Sequence, residues 1–169
     1  MALGNFQPYE NASASKMSGS VKFYVAANST GSDGTISRIK AGELVTKVAG
    51  AAGVIAAATN APTTTLRVVG ISAGTSTETA SVAGTVDVIP ALDGQIWTVA
   101  ADVLATWDTQ AEYNALCGSR VLIKNTAGVY TALASDSASN GCVVEYIDVI
   151  KYPGVVAFSF SPLVNYKNV

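Results

Sequence analysis

Residues 84–100, GTVDVIPALDGQIWTVA, constrain the fold more than any other part of this chain. Val86, Val88 and Ile96 are strand formers, and Asp87 interrupts the first run as a residue on an alternating face would. Pro90 has no N–H to give to a ladder, so the first strand should stop there. Asp93-Gly94 supplies a turn pair that tolerates positive φ. The stretch therefore reads as two short strands joined by a tight turn. It carries no nucleophile, base or ligand cluster; it builds scaffold.

The same pattern recurs along the chain. Residues 21–26, VKFYVA, place Val21, Phe23 and Val25 on one face and Lys22 and Tyr24 on the other, as in a half-buried strand. LRVVGI at 66–71, SRVLIK at 119–124 and residues 129–133 read as further strands, the last two joined by a turn at 125–128. CVVEYIDVI at 142–150 reads as the longest strand, with VVAFSF at 155–160 pairing back across a turn at 151–154. Residues 38–49 and 50–65 mix helix and strand signals, and 72–83 read as a strand or loop at an edge. One helix is predicted over 109–116. Thr109 and Glu112 have capping-box spacing, Tyr113 and Leu116 share a face, and Gly118 stands where a helix-ending glycine would. Short strands with turn signals at about 8–12-residue spacing predict a mainly β protein, a β-sandwich or β-barrel with one short helix and extended terminal arms.

A length of 169 residues favours one domain. The expected layout is an N-terminal arm over 1–20, a single β-rich domain over 21–160 and a C-terminal arm over 161–169. The first arm lacks apolar periodicity yet carries Phe6, Pro8 and Tyr9. Such a segment is either a frayed terminus or one that orders against a partner surface, and the second reading makes Phe6, Pro8 and Tyr9 the candidate interaction residues.

Charged residues make up 13% of the chain, against roughly 25% in an average soluble protein. Mean hydropathy is +0.34, and the excess comes from Ala and Val. This is read as surplus apolar surface covered by another protein chain, giving a homo-oligomer or a larger assembly. The plainer alternative is a monomer with an Ala/Thr/Ser-rich skin. The net charge is −2 and no two Lys or Arg residues are adjacent, so nothing concentrates cations as nucleic-acid binding requires. VAGAAGVIAAA at 48–58 is too short for a transmembrane helix, which needs about 20 apolar residues. Residues 1–13 lack the basic and apolar regions of a secretory signal.

Chemistry is hard to find. The chain has no His, which removes the commonest general base and metal ligand. Cys117 and Cys142 have no zinc spacing and read as small buried hydrophobes, with a single bridge between them left open. Asp87, Asp93, Asp102 and Asp108 never fall in a calcium-loop order. Glu145 and Asp148, three apart on an expected strand, would point to opposite faces. Trp97 and Trp107 could stack a sugar, although such residues are more often core or interface anchors. The expectation is no enzyme, no catalytic residues, no cofactor and no metal.

From Ala41 onward the chain resembles the small β-rich capsid decoration, or cement, proteins of tailed bacteriophages. The resemblance is carried by AGELV at 41–45, RVVGIS at 67–72, GTVDVIPALDGQIW at 84–97, GSRVLIKNTAGVYT at 118–131 and NGCVVEYIDVIKYPGVVAF at 140–158. It is one of layout: a Gly-Glu-Leu-Val opening strand, a V-x-G-I strand, then a Gly-x-Val hairpin ending in an aromatic. It implies an accessory virion protein, often trimeric, on the outer surface of the major capsid lattice, with the major capsid protein as partner. The family offers no catalytic residues to carry over. Competing expectations are another virion component, such as a head fibre or tail protein, and a carbohydrate-binding β-sandwich using Trp97 or Trp107.

Overall fold

A computed structural model describes residues 6–8, 19–27, 38–47, 53–57, 61–63, 66–92 and 94–161. The protein is mainly β. Its strands are β1 (Gln7–Pro8), β2 (Val21–Val25), β3 (Leu44–Lys47), β4 (Val54–Ala56), β5 (Val68–Ser72), β6 (Gly84–Pro90) and β7 (Ile96–Ala101). After the helix α1 (Gln110–Leu116) come β8 (Arg120–Thr126), β9 (Val129–Leu133), β10 (Cys142–Val144) and β11 (Val155–Phe160). The ambiguous stretches at 38–49 and 50–65 contain β3 and β4. Residues 73–83 run as a loop, tied to β6 where Thr77 N–H donates to the Thr85 carbonyl (2.9 Å).

Two sheets form. One is antiparallel, in the order β2-β6-β5-β3-β4. The other runs β1-β7-β11-β10-β8-β9, and a further pairing of β7 with β9 closes five of its strands into a ring. That closing contact is parallel and short, Ala100 opposite Thr131 and Ala101 opposite Ala132. Upstream of it the same edge of β7 takes β1, with Gln7 opposite Thr98 and Pro8 opposite Trp97. Pro8 ends a two-residue edge strand, a place where a missing N–H costs no ladder bond.

The larger core fills this ring and the space between the sheets, with Phe6, Trp97, Val99, Val121, Ile123, Tyr130, Phe158 and Phe160 among its members. Phe6 is 6% exposed, and its ring lies 5.3 Å from that of Tyr130 and 6.0 Å from that of Phe158. The expected N-terminal arm is therefore corrected at Phe6, which fills the chain's own core, while Gln7–Pro8 pair with β7 of the same chain. Tyr9 lies outside the described residues, as do 1–5, 10–18 and 162–169 of the two expected arms.

A second, smaller core of Val25, Ile39, Val45, Val54, Ala56, Val69, Val86 and Val88 lies on the other side of the five-stranded sheet. β5 is buried at every position because Val68 and Ile71 face the larger core while Val69 faces the smaller. Between them Gly70 lets β6 approach: a Cβ there would overlap the Ile89 carbonyl oxygen.

Two further expectations are corrected. Residues 84–100 do form two strands, and the first ends at Pro90, but they do not pair as a hairpin. β6 belongs to the five-stranded sheet and β7 to the ring. Pro90 closes β6, Ala91 N–H is taken by the Val69 carbonyl (3.0 Å), and Leu92 N–H by Gln95 Oε1 (3.0 Å). The chain then turns at Gly94, φ 76°, and crosses from one sheet to the other. Residues 142–150 do not form the longest strand either; pairing stops at Val144. Beyond it Glu145 N–H still donates to the Ala157 carbonyl (2.9 Å), but Ala157 N–H donates to Tyr113 Oη (2.7 Å) instead of to a strand. α1 has replaced the continuation of β10.

α1 begins as its sequence predicts. Thr109 is the N-cap, its side chain accepts from Glu112 N–H, and the Glu112 side chain returns to Thr109 N–H, completing the capping box. Gly118 follows the helix end at φ 84°. The 125–128 turn is equally local, with positive φ at Ala127 (50°) and Gly128 (86°) as a two-residue hairpin requires.

Tyr113 couples helix to ring, since its hydroxyl also donates to the Ala157 carbonyl (3.2 Å). Tyr113→Phe would keep the ring and strand a buried N–H on β11. The expected loss is about 1–3 kcal/mol, read as a lower urea midpoint with unchanged slope.

Candidate functional site

The end of the ring where β7 stops and β11 starts is built from three linked pieces: residues 102–109, α1 and residues 145–154. Asp102 N–H donates to the Ala132 carbonyl and Ala101 N–H to the Gly154 carbonyl, both at 2.9 Å, so the two loops leave the sheet side by side. A 3-10 turn at Leu104–Thr106 follows, closed by Trp107 N–H on the Leu104 carbonyl (2.8 Å). Trp107 drops into the core, edge-on to Tyr113 with ring centroids 5.3 Å apart. Gln110 clamps the other loop: its amide donates to the Ile147 carbonyl (3.1 Å) and accepts from Val149 N–H (3.1 Å). Asp148 Oδ1 accepts from Ile150 N–H (3.0 Å) and Lys151 N–H (3.3 Å), folding the tip.

This clamping decides which apolar side chains face out. Ile147 and Val149 are buried, so Tyr146 and Ile150, on either side of them, are exposed, Ile150 by 91%. On the facing loop Val103 and Leu104 are exposed, Leu104 by 57%, because the 3-10 turn buries none of its residues. Leu104 reaches the β11 loop: its Cδ1 lies 3.1 Å from where a Cβ on Gly154 would stand. Large apolar side chains held out on pinned loops mark an interaction surface more strongly than isolated ones.

Charge around this end is mostly spoken for. Asp102 accepts from Lys124 Nζ at 2.9 and 3.1 Å and from the Thr131 hydroxyl at 3.2 Å. Glu112 is held below the ordinary glutamate value, first by the Thr109 hydroxyl and then by Asp108. Asp108 is raised, first by its hydrogen bond to Glu112. Both carboxyls belong to the helix start, where they are engaged with each other and with Thr109.

The other residues singled out in the sequence do not converge. Trp97 and Trp107 are 2% and 1% exposed, which corrects the sugar-stacking expectation: neither face is available. Glu145 accepts from the Ser159 hydroxyl (2.6 Å), well apart in role from the loop-folding Asp148. Asp87 pairs with Lys22 at 3.7 Å on the surface, and Asp93 lies outside the described residues. No group of three or more metal-binding side chains occurs among the described residues. Sequence reading missed Glu78, which is 3% exposed with both carboxylate oxygens unpartnered among the described residues, while its backbone carbonyl accepts from Arg38 Nε (3.2 Å). It also missed Val103, Leu104, Tyr146 and Ile150, whose exposure depends on loop clamping.

The two cysteines are free, and they differ. Cys142 is buried, and that burial pushes its thiol well above the ordinary range. Cys117, at the end of α1, is exposed, against the expectation that both are buried. A thiol reagent such as Ellman's should titrate one cysteine in the native protein, mapping to Cys117, and the second only in denaturant. Two fast-reacting thiols would contradict the placement of Cys142.

No family model, no curated protein and no solved structure matches this chain.

Proposed function

We propose that this chain is a structural protein of a tailed-phage virion, a decoration protein that binds the outer surface of the major capsid lattice and stabilises the head. The observation that carries the reading is the hydrogen-bonded loop end that leaves Val103, Leu104, Tyr146 and Ile150 exposed. A lattice-binding subunit needs a preformed apolar contact on a stiff scaffold, because ordering mobile loops on binding would cost affinity. A closed ring with clamped loops supplies both. The resemblance from Ala41 onward agrees with it, and it brings the further proposals of self-association as a trimer and of the major capsid protein as partner.

A head-fibre or tail component would use the same surface and differ only in where it sits in the particle. The carbohydrate-binding alternative has lost the two tryptophans it rested on.

The test is co-sedimentation of the purified chain with phage heads that lack it. Wild-type protein should pellet with the heads to saturation. Leu104→Asp with Ile150→Asp should keep the native stability within about 0.5 kcal/mol, since both side chains are solvent-exposed. It should weaken head binding at least about tenfold, because burying one such side chain is worth on the order of 1.5–3 kcal/mol. No binding by wild-type protein, or equal binding by the double variant, would remove the proposal.

A further inference from the structure

The notch on β7 that holds β1 has the form of a receptor for a short peptide, and the peptide need not come from the same chain. Three features define it. The closing contact between β7 and β9 covers only two residue pairs, at Ala100 and Ala101, so the β7 edge at Trp97 and Thr98 is left to another strand. Phe6 enters beside that edge and packs its ring on Tyr130 of β9 (5.3 Å, interplanar angle 51°) and Phe158 of β11 (6.0 Å, 76°). Pro8 opposes Trp97 and, having no N–H, stops the ladder from growing. The notch thus selects a Phe-x-Pro sequence: one aromatic anchor, one paired residue and a terminator.

The covalent connection to the rest of the chain is ten residues long. Residues 9–18, YENASASKMS, separate Pro8 from Gly19. At full extension this link reaches about 35–40 Å. That exceeds the radius of gyration of a domain of this size, about 15 Å. A Phe-x-Pro segment on such a tether can reach the notch of an adjacent molecule as well as its own.

We propose that the notch accepts Phe6-Gln7-Pro8 from a second copy of this chain, so that subunits link by exchanging β1. The contacts made are identical in the self-docked and exchanged forms, so the choice is set by concentration. A tether of ten residues presents its own segment at an effective concentration on the order of millimolar. Dilute protein keeps β1 at home, and crowded or arrayed protein exchanges it. The inference does not depend on the capsid proposal, because it is testable on the free protein.

The experiment uses the full chain in a Cys117→Ser background. One version carries both Gln7→Cys and Thr98→Cys; two others carry one substitution each, and the Thr98→Cys chain is labelled with nitrogen-15. The doubly substituted chain, oxidised when dilute, should form an intrachain disulfide that reports the Gln7–Thr98 pairing. Mixed single variants should stay unlinked when dilute and form a labelled–unlabelled disulfide pair as the concentration approaches about 1 mM. Adding Phe6→Ala to the Gln7→Cys chain should cut that yield more than about tenfold, the equivalent of about 1.4 kcal/mol. Absence of the intrachain bond would refute the notch itself. Mixed chains that never link at high concentration, or that link equally well with Phe6→Ala, would refute exchange.

Discussion

A strand has two hydrogen-bonding edges, and β7 has to satisfy three partners with them. One edge is taken along its length by β11, from Ile96 opposite Ser159 to Ala100 opposite Val155. The other is divided, upstream to β1 and downstream to β9. This division lets five strands close without leaving an open edge on β7. Phe6 enters beside β7, and its ring joins Tyr130 of β9 and Phe158 of β11 in a contact that ties two strands to the N-terminal segment.

The five-stranded sheet depends on the ring in turn. Leu44, Val68 and Ile71 turn toward the large core, while Val45, Val69, Val86 and Val88 turn away into the small one. A sheet buried on both faces needs apolar residues at successive positions, and VVGIS in β5 supplies them. This double burial absorbs part of the apolar excess that composition alone assigns to a partner interface. Among the described residues, the large apolar side chains that stay exposed are Val103, Leu104, Tyr146 and Ile150 on the loops, Val21 and Tyr24 on the outer strand β2, and Val82 and Val129 elsewhere.

The exposed tip follows from how α1 is placed. Tyr113 takes the place of a strand against Ala157, and Gln110 holds the backbone at Ile147 and Val149. Had β10 continued as a strand, Tyr146 and Ile150 would have stood on one face of a ladder. With the helix in the way, the loop turns and these two side chains point outward. The pinned geometry makes this end a surface with a defined shape, which is the property the proposed lattice contact requires.

Local signals were legible wherever the governing contact lies within a few residues. The Thr109–Glu112 capping box, the stop at Pro90, the Gly118 helix end and the 125–128 turn all depend on backbone groups close in sequence, and each is where its residues predict. Partnership between strands is not such a property. The run at 84–100 has the composition of a hairpin, yet β6 and β7 lie in different sheets, because burying Trp97 in the ring core requires the chain to cross over. Residues 142–150 have strand composition throughout, yet a tyrosine hydroxyl from α1 ends the ladder after Val144. Phe6 has no periodic neighbours to mark it as core, since its pocket is assembled from β9 and β11, more than a hundred residues away along the chain. Turn chemistry and capping were settled by sequence because they are short-range. Edge sharing, core membership and exposure were settled only by tertiary packing, where hydrogen-bonding edges and apolar volume have to be satisfied for the whole chain at once.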